Sequence, residues 1–157
     1  MFDANIWLSI NGPYPDKIEA RGRAYSAFYK RALEAGAQIV VPQLIAGEFL
    51  NRAVKIQADV AGFDYRCKIH RADDYRDWIK EGCDLLNCVA GDHVKIADSF
   101  DSLELEPCFA AAEAGGLEFH DVLVVHMCRA GGHILVTDDA DYAGQDLPIV
   151  TWNTRLT

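Results

Sequence analysis

The sequence lacks any hydrophobic run near the roughly 20 residues that a helix needs to span a bilayer. Its opening, MFDANIWLSINGPYPDK, also lacks a basic region followed by an apolar stretch, which is the pattern of a signal peptide. We therefore expect a cytoplasmic protein with no membrane partner.

Paired cysteines are absent as well. The five cysteines are odd in number, and no two of them form a CxxC pair. This usage predicts reduced thiols rather than a disulfide framework. Cys67, His70, Cys83 and Cys88 could be drawn as a zinc site, but structural zinc usually binds more closely spaced pairs. We favour buried or incidental thiols.

Basic residues are few, because 15 Lys and Arg face 24 Asp and Glu, for a net charge of −9. A general nucleic-acid coat needs a basic face that displaces counterions, so this class is disfavoured. A nuclease remains possible, since metal ions can neutralise a local acidic pocket. A basic rim could guide its substrate, and the candidates are Arg52, Lys55, Arg66, Lys68 and Arg71. The acidity also suits a basic protein partner.

What is present is the composition of one soluble domain. The chain has 157 residues, half of them hydrophobic and a quarter charged. This length predicts a single domain over residues 1–157. Strand-like runs alternate with helical stretches, which predicts an α/β fold with a mostly parallel sheet.

The predicted strands cover residues 1–3, 38–41, 94–96, 134–137 and 149–151. A turn or short helix is predicted over 5–10, and longer helices over 16–35, 44–61 and from 73 or 74 to 89. A small Ala-rich helix begins at Pro107, and a further helix covers 119–130. The region 63–72 is polar and ambiguous. Ala24, Phe28 and Leu33 are expected in the core, and Trp78 and Trp152 in the core or at a partner surface.

Four acidic residues share one placement in this pattern. Asp3 and Asp139 each follow a predicted strand, and Glu48 lies in the first turns of the helix after Pro42. Asp121 begins the helix before a strand, and that helix must run antiparallel to the strand. All four are thus expected at the carboxyl edge of the sheet, where such folds place their sites.

Clustered carboxylates need a compensating charge. Two of them about 4 Å apart repel by about 4 kcal/mol at an effective dielectric of 20, and no Lys or Arg adjoins Asp3, Glu48 or Asp139 in sequence. Mg²⁺ or Mn²⁺ suits such oxygen ligands and can promote phosphodiester hydrolysis. Taken singly, each acid could also be an ordinary strand end, helix residue or turn residue.

Four segments resemble the PIN-domain family, in particular the PIN-domain toxins of VapBC type. They are residues 2–8 (FDANIWL), 40–49 (VVPQLIAGEF), 116–125 (GLEFHDVLVV) and 134–142 (ILVTDDADY). Their order and spacing agree with the family over nearly the whole chain. The resemblance implies a three-layer α/β/α fold with a central, mostly parallel sheet.

The resemblance also implies a metal-dependent endoribonuclease that cleaves single-stranded RNA. Its catalytic residues would be Asp3, Glu48, Asp121 and Asp139. These four and an auxiliary Asp141 would hold one or two Mg²⁺ or Mn²⁺ ions. Asn5 and Thr137 would orient the carboxylates or the water. The pattern gives no residue for substrate binding.

The implied partners are single-stranded or structured RNA, a basic antitoxin protein and a second copy in a homodimer. The antitoxin would place an Arg or Lys among the carboxylates of the toxin. The region of about 57–89 is longer than in the compact toxins.

Two alternatives stay open. One is a PIN-fold binding module that has lost catalysis. The other is a haloacid-dehalogenase-type phosphatase, which would have a second acid two residues after Asp3, where this chain has Asn5. For His120, beside Asp121, we favour a helix-entry or stacking role over contact with a phosphate or metal.

Overall fold

The computed structural model describes residues 1–12, 19–98, 101 and 103–156. Over these residues the chain is a mixed α/β fold in which helices predominate. The helices are α1 (Ala4–Asn11), α2 (Glu19–Glu34), α3 (Gln43–Val60), α4 (Tyr75–Ala90), α5 (Leu105–Glu113) and α6 (Phe119–Gly131). The strands are β1 (Val40–Pro42), β2 (Val94–Ile96), β3 (Leu135–Val136) and β4 (Ile149–Val150).

These strands pair in parallel. β1 pairs with β2 and β3 with β4, and Phe2 adds a single parallel bridge to Val136. The predicted strand over 1–3 is therefore only a bridge, because the Asp3 side chain accepts a hydrogen bond from Ala4 N–H and begins α1 there. Parallel pairing agrees with the prediction, although the described strands form two separate pairs.

The predicted helices match the observed ones closely. α2 is described from Glu19, so residues 16–18 of its prediction lie outside the described residues. The ambiguous region 63–72 contains a short 3-10 helix, Ile69–Arg71. α6 ends where Gly132 adopts a left-handed φ of 62°, a conformation that glycine tolerates best.

The main core surrounds α1. Ala4, Ile6, Trp7 and Leu8 are almost fully buried, while Asn5 and Ser9 occupy the remaining, half-buried side of α1. Leu33 was expected in the core, but it is 43% exposed. The expectation fails because, in the last turn of α2, Ala32 packs against the core and the adjacent Leu33 points away from it.

A second, smaller cluster joins α3 to α4. Its buried members are Val54, Ala58 and Trp78. The helices approach closely at Gly82, where a Cβ atom would come within 2.9 Å of Leu50 Cδ1. The longer region 57–89 therefore forms much of a helix pair with a core of its own, and Trp78 belongs to that core.

Two further features of the described residues concern the length of the helices and the state of the cysteines. Among the described helices, none is long and apolar enough to cross a membrane. All five cysteines are free; Cys108 and Cys128 are buried and the other three are exposed.

Candidate metal centre

Asp3 lies at the centre of a buried hydrogen-bond network. Its Oδ1 accepts from Ala4 N–H at 2.6 Å, and its Oδ2 accepts from Asn5 Nδ2 at 2.8 Å and Thr137 Oγ1 at 2.7 Å. Asp3 is 5% exposed and Thr137 is fully buried. Because Asp3 precedes α1 and Thr137 follows β3, the Phe2–Val136 bridge brings the two side chains together.

Glu48 is held by two basic side chains. Its Oε1 accepts from Arg52 Nη1 at 3.1 Å, one helical turn further along α3. Its Oε2 lies 2.8 Å from His120 Nε2, a distance that fits an ion pair, although this nitrogen has no partner of hydrogen-bond geometry. A base thus adjoins Glu48 in space, although none adjoins it in sequence.

Asp121 lies in the first turn of α6 and contacts a buried tyrosine. Tyr142 is 1% exposed and donates its hydroxyl to Asp121 Oδ1 at 2.9 Å. Tyr142 ends the short 3-10 helix Ala140–Tyr142, which follows the acidic turn after β3. This hydrogen bond links the start of α6 to the end of β3, as the antiparallel placement of α6 requires.

The two adjacent aspartates after β3 have different surroundings. Asp138 is bound by Arg21 Nε at 2.7 Å and by the Tyr25 hydroxyl at 2.7 Å, and its side chain is 6% exposed. The Asp139 backbone N–H donates to Thr137 Oγ1 at 3.2 Å, and its Oδ1 accepts from Asp141 N–H at 3.0 Å. Asp138 is thus an anchor for α2. Asp139 fits the predicted metal role better, and Asp141 is exposed.

The pKa values of these acids show that they interact. The pKa of Asp3 is raised to about 6, mainly by burial and also by the nearby charges of Glu48 and Asp121, while the hydrogen bonds from Thr137 and Ala4 oppose this rise. Burial, and then the charge of Asp139, raise the pKa of Asp121. Burial alone would raise the pKa of Glu48, but His120 and Arg52 together lower it. The four predicted acids therefore share one electrostatic site.

The chemistry of this site fits a hard divalent cation. Asn5 directs its amide N–H groups to Asp3 and Thr137, while its Oδ1 is buried and has no hydrogen-bond partner. Within the described ranges, no three His, Cys, Asp or Glu side chains form a ready-made cage. Mg²⁺ does not require one, since it usually keeps several waters and binds one or two protein carboxylates.

An open groove of about 410 Å³ adjoins Glu48 and His120. Its wall includes Asp98, whose Oδ1 accepts from Leu44 N–H at 3.0 Å in the first turn of α3. Glu48 is therefore reached from solvent through this groove. A larger groove, of about 500 Å³, lies elsewhere, between α2 and β4.

Several of these residues were not predicted from sequence. Tyr142 was given no role, Arg52 was assigned to a substrate-guiding rim rather than to Glu48, and His120 was assigned to helix entry rather than to Glu48. Asp98 follows a predicted strand, β2, by two residues, so the rule that pointed to Asp3 and Asp139 could have found it. Of the candidate basic rim, Arg52 binds Glu48 and Arg66 binds Asp64.

Comparison with known proteins adds no relative, since no protein-family model matches the chain and none of the curated proteins does so.

Proposed function

We propose that the chain is a metal-dependent endoribonuclease that hydrolyses phosphodiester bonds of single-stranded RNA. The observation that carries the proposal is the network that brings the acids together. Thr137 Oγ1 donates to Asp3 and accepts from the Asp139 N–H, and the charges of Glu48 and Asp121 act on Asp3. The strand and helix order is compatible with a PIN-like three-layer α/β/α domain over residues 1–157, and we propose that fold.

Each carboxylate in the proposed site has a contact that orients it. Asn5 and Thr137 hold Asp3, Tyr142 holds Asp121, and the Asp141 N–H holds Asp139. Arg52 and His120 hold Glu48 and lower its pKa. When bound, Mg²⁺ or Mn²⁺ supplies positive charge that stabilises the transition state of phosphodiester cleavage and helps to ionise the attacking water. Fixed carboxylates lower the reorganisation that binding such an ion requires.

The phosphatase alternative is less compatible with Asp3. A nucleophilic aspartate must reach its substrate, whereas Asp3 is 5% exposed and both of its oxygens accept hydrogen bonds. The binding module would have the same fold as the nuclease but would not cleave RNA, so a cleavage assay must distinguish the two.

The biological setting follows from the resemblance. We propose a cytoplasmic toxin of a type II toxin–antitoxin pair, with a basic antitoxin protein as partner and a homodimer as its assembly. The net charge of −9 supports a basic partner. A co-purified partner that places no Arg or Lys at the carboxylates would count against this setting.

Cleavage of a labelled single-stranded RNA tests the activity. We expect cutting with Mn²⁺ or Mg²⁺, no cutting in EDTA, and loss of at least about 100-fold in Asp121→Asn, since that substitution removes a proposed metal ligand. Glu113→Gln is the matched control, because it removes one charge from the exposed surface of α5. No cutting of any of several RNAs would leave the silent binding module as the better description.

A further inference from the structure

The groove of about 500 Å³ between α2 and β4 combines positive charge with an exposed aromatic ring. Arg23 and Arg31 of α2 line it, together with Trp152 just after β4. Trp152 is 64% exposed, the second most exposed of the large hydrophobic residues in the described ranges. Both arginines are exposed as well.

The positive charge of this groove stands out from the rest of the chain. Its described lining contains two basic residues and no acidic residue, although the whole chain has 15 basic residues against 24 acidic ones. Arg23 and Arg31 are eight residues apart, about 12 Å along the helix axis. Between them, Ala24 and Ala27 line the groove with small side chains. The groove therefore offers two separated arginines along one face of α2.

The groove begins beside the candidate metal centre. Tyr25 lines it and donates its hydroxyl to Asp138, the residue before Asp139. Trp152 N–H donates to the same Tyr25 hydroxyl at 2.8 Å, and Asn153 Nδ2 donates to the Asp138 carbonyl at 2.8 Å. The backbone that carries Trp152 is thus fixed to the acidic turn, while its ring faces solvent.

We propose that this groove is a binding track for single-stranded RNA, in which Trp152 stacks on a base and Arg31 and Arg23 bind phosphates. Every base has a face that can stack on an aromatic ring, and arginine groups follow the backbone charge, so such a track accepts many sequences. Phosphates complement the groove, whereas they are repelled by most of this acidic protein. The inference rests on the proposed ribonuclease function for the identity of its ligand.

Binding and cleavage are measured separately to test the track. The probe is a fluorescein-labelled oligouridylate of about ten nucleotides, within the range that single-strand sites cover. Its affinity is measured by fluorescence anisotropy in the Asp121→Asn background, which holds the RNA uncut. Trp152→Ala should weaken binding about 5-fold to 100-fold, and Trp152→Phe should retain most of it, because stacking needs only an aromatic ring.

The salt dependence of RNA binding distinguishes the phosphate contact of Arg31 from the base stacking of Trp152. For single strands the slope of log K against log salt falls by about 0.7 for each lost phosphate contact. Arg31→Gln should therefore reduce this slope by about 0.7, whereas Trp152→Ala should leave it unchanged. Lys80→Gln is the matched control, since Lys80 lies on the exposed face of α4 and pairs with Asp84.

The outcomes distinguish the track from the nuclease. Trp152-dependent binding without metal-dependent cleavage by the parent protein would support the track and overturn the proposed activity. If the parent protein cleaves RNA, but Trp152→Ala and Arg31→Gln bind RNA as tightly as the unsubstituted groove, the track is wrong and the proposed activity stands. A homodimer that Trp152→Ala dissociates, with RNA affinity unchanged, would also overturn it and assign the groove to a second copy of the chain.

Discussion

Asp3 at the candidate metal centre and Asp64 in the turn between α3 and α4 both accept several hydrogen bonds, yet their pKa values move in opposite directions. The pKa of Asp3 rises to about 6, mainly because the carboxylate is buried. The pKa of Asp64 falls, because Arg66 binds it at the exposed surface. Hydrogen bonds alone therefore do not determine the charge state, since burial and the sign of the neighbours decide it.

The candidate metal centre and the α3–α4 region also differ in how their charged side chains are arranged. At the candidate metal centre, several carboxylates lie near buried polar groups, and α1 and β3 fix the positions of Asp3 and Thr137. Around α3 and α4, charged side chains form exposed pairs such as Arg66–Asp64 and Lys80–Asp84, while a small apolar cluster supplies the packing. We therefore expect function to depend on the first region and stability to depend strongly on the apolar part of the second.

The largest effect is expected at Trp78. This residue is 9% exposed in the cluster between α3 and α4, so Trp78→Ala should lower the free energy of unfolding by about 3–5 kcal/mol. Trp152→Ala removes the same side chain where it is 64% exposed and should change stability far less. Urea denaturation of both variants checks this. Equal losses would mean that the α3–α4 cluster is not a separate source of stability.

The next effect is a fall in the stability of the metal-free protein as pH rises. Between its ordinary pKa of 3.8 and its folded value of about 6, Asp3 keeps a proton in the folded state that the unfolded chain has lost. The stabilisation is present below about pH 4 and is lost as pH rises through 6, in total about 3 kcal/mol.

Denaturation curves in EDTA from pH 4 to pH 7.5 measure this fall. Asp3→Asn should reduce it, because that variant has no proton to release at this position, while Asp121, whose pKa is also raised, retains part of the fall. Asp64→Asn should retain it, since Asp64 is fully exposed and its pKa moves downwards. A parental curve that rises over this interval would contradict the assignment of a raised pKa to Asp3.

A smaller effect on stability is expected at Tyr142. Tyr142→Phe removes the hydroxyl that donates to Asp121, at a cost of about 1 kcal/mol, and should slow RNA cleavage by about 10-fold to 100-fold. Tyr65→Phe removes an exposed hydroxyl that donates to Asp59 at 2.6 Å and should leave cleavage unchanged. If both variants cleave at the parental rate, Tyr142 does not position Asp121.

The sequence was sufficient for features set by local periodicity and strand ends. It predicted α3, α4 and α6 closely, and it placed Asp3 near Asp139 because each was expected to follow a strand. It could not predict that Tyr25 binds Asp138 or that Tyr142 binds Asp121, since these contacts depend on how distant elements pack. Leu33 was misplaced because helical spacing alone does not show where a helix leaves the core.

Calorimetric titration of the metal-free protein with Mn²⁺ tests the central claim most directly. We predict saturable binding at one or two sites, strongly weakened in Asp121→Asn and unchanged in Glu113→Gln. Mn²⁺ at about 100 times its Kd should also raise the free energy of unfolding by about 2.7 kcal/mol for one site. Absence of both the binding heat and the stabilisation at millimolar Mn²⁺ would contradict a metal centre built from these four acids.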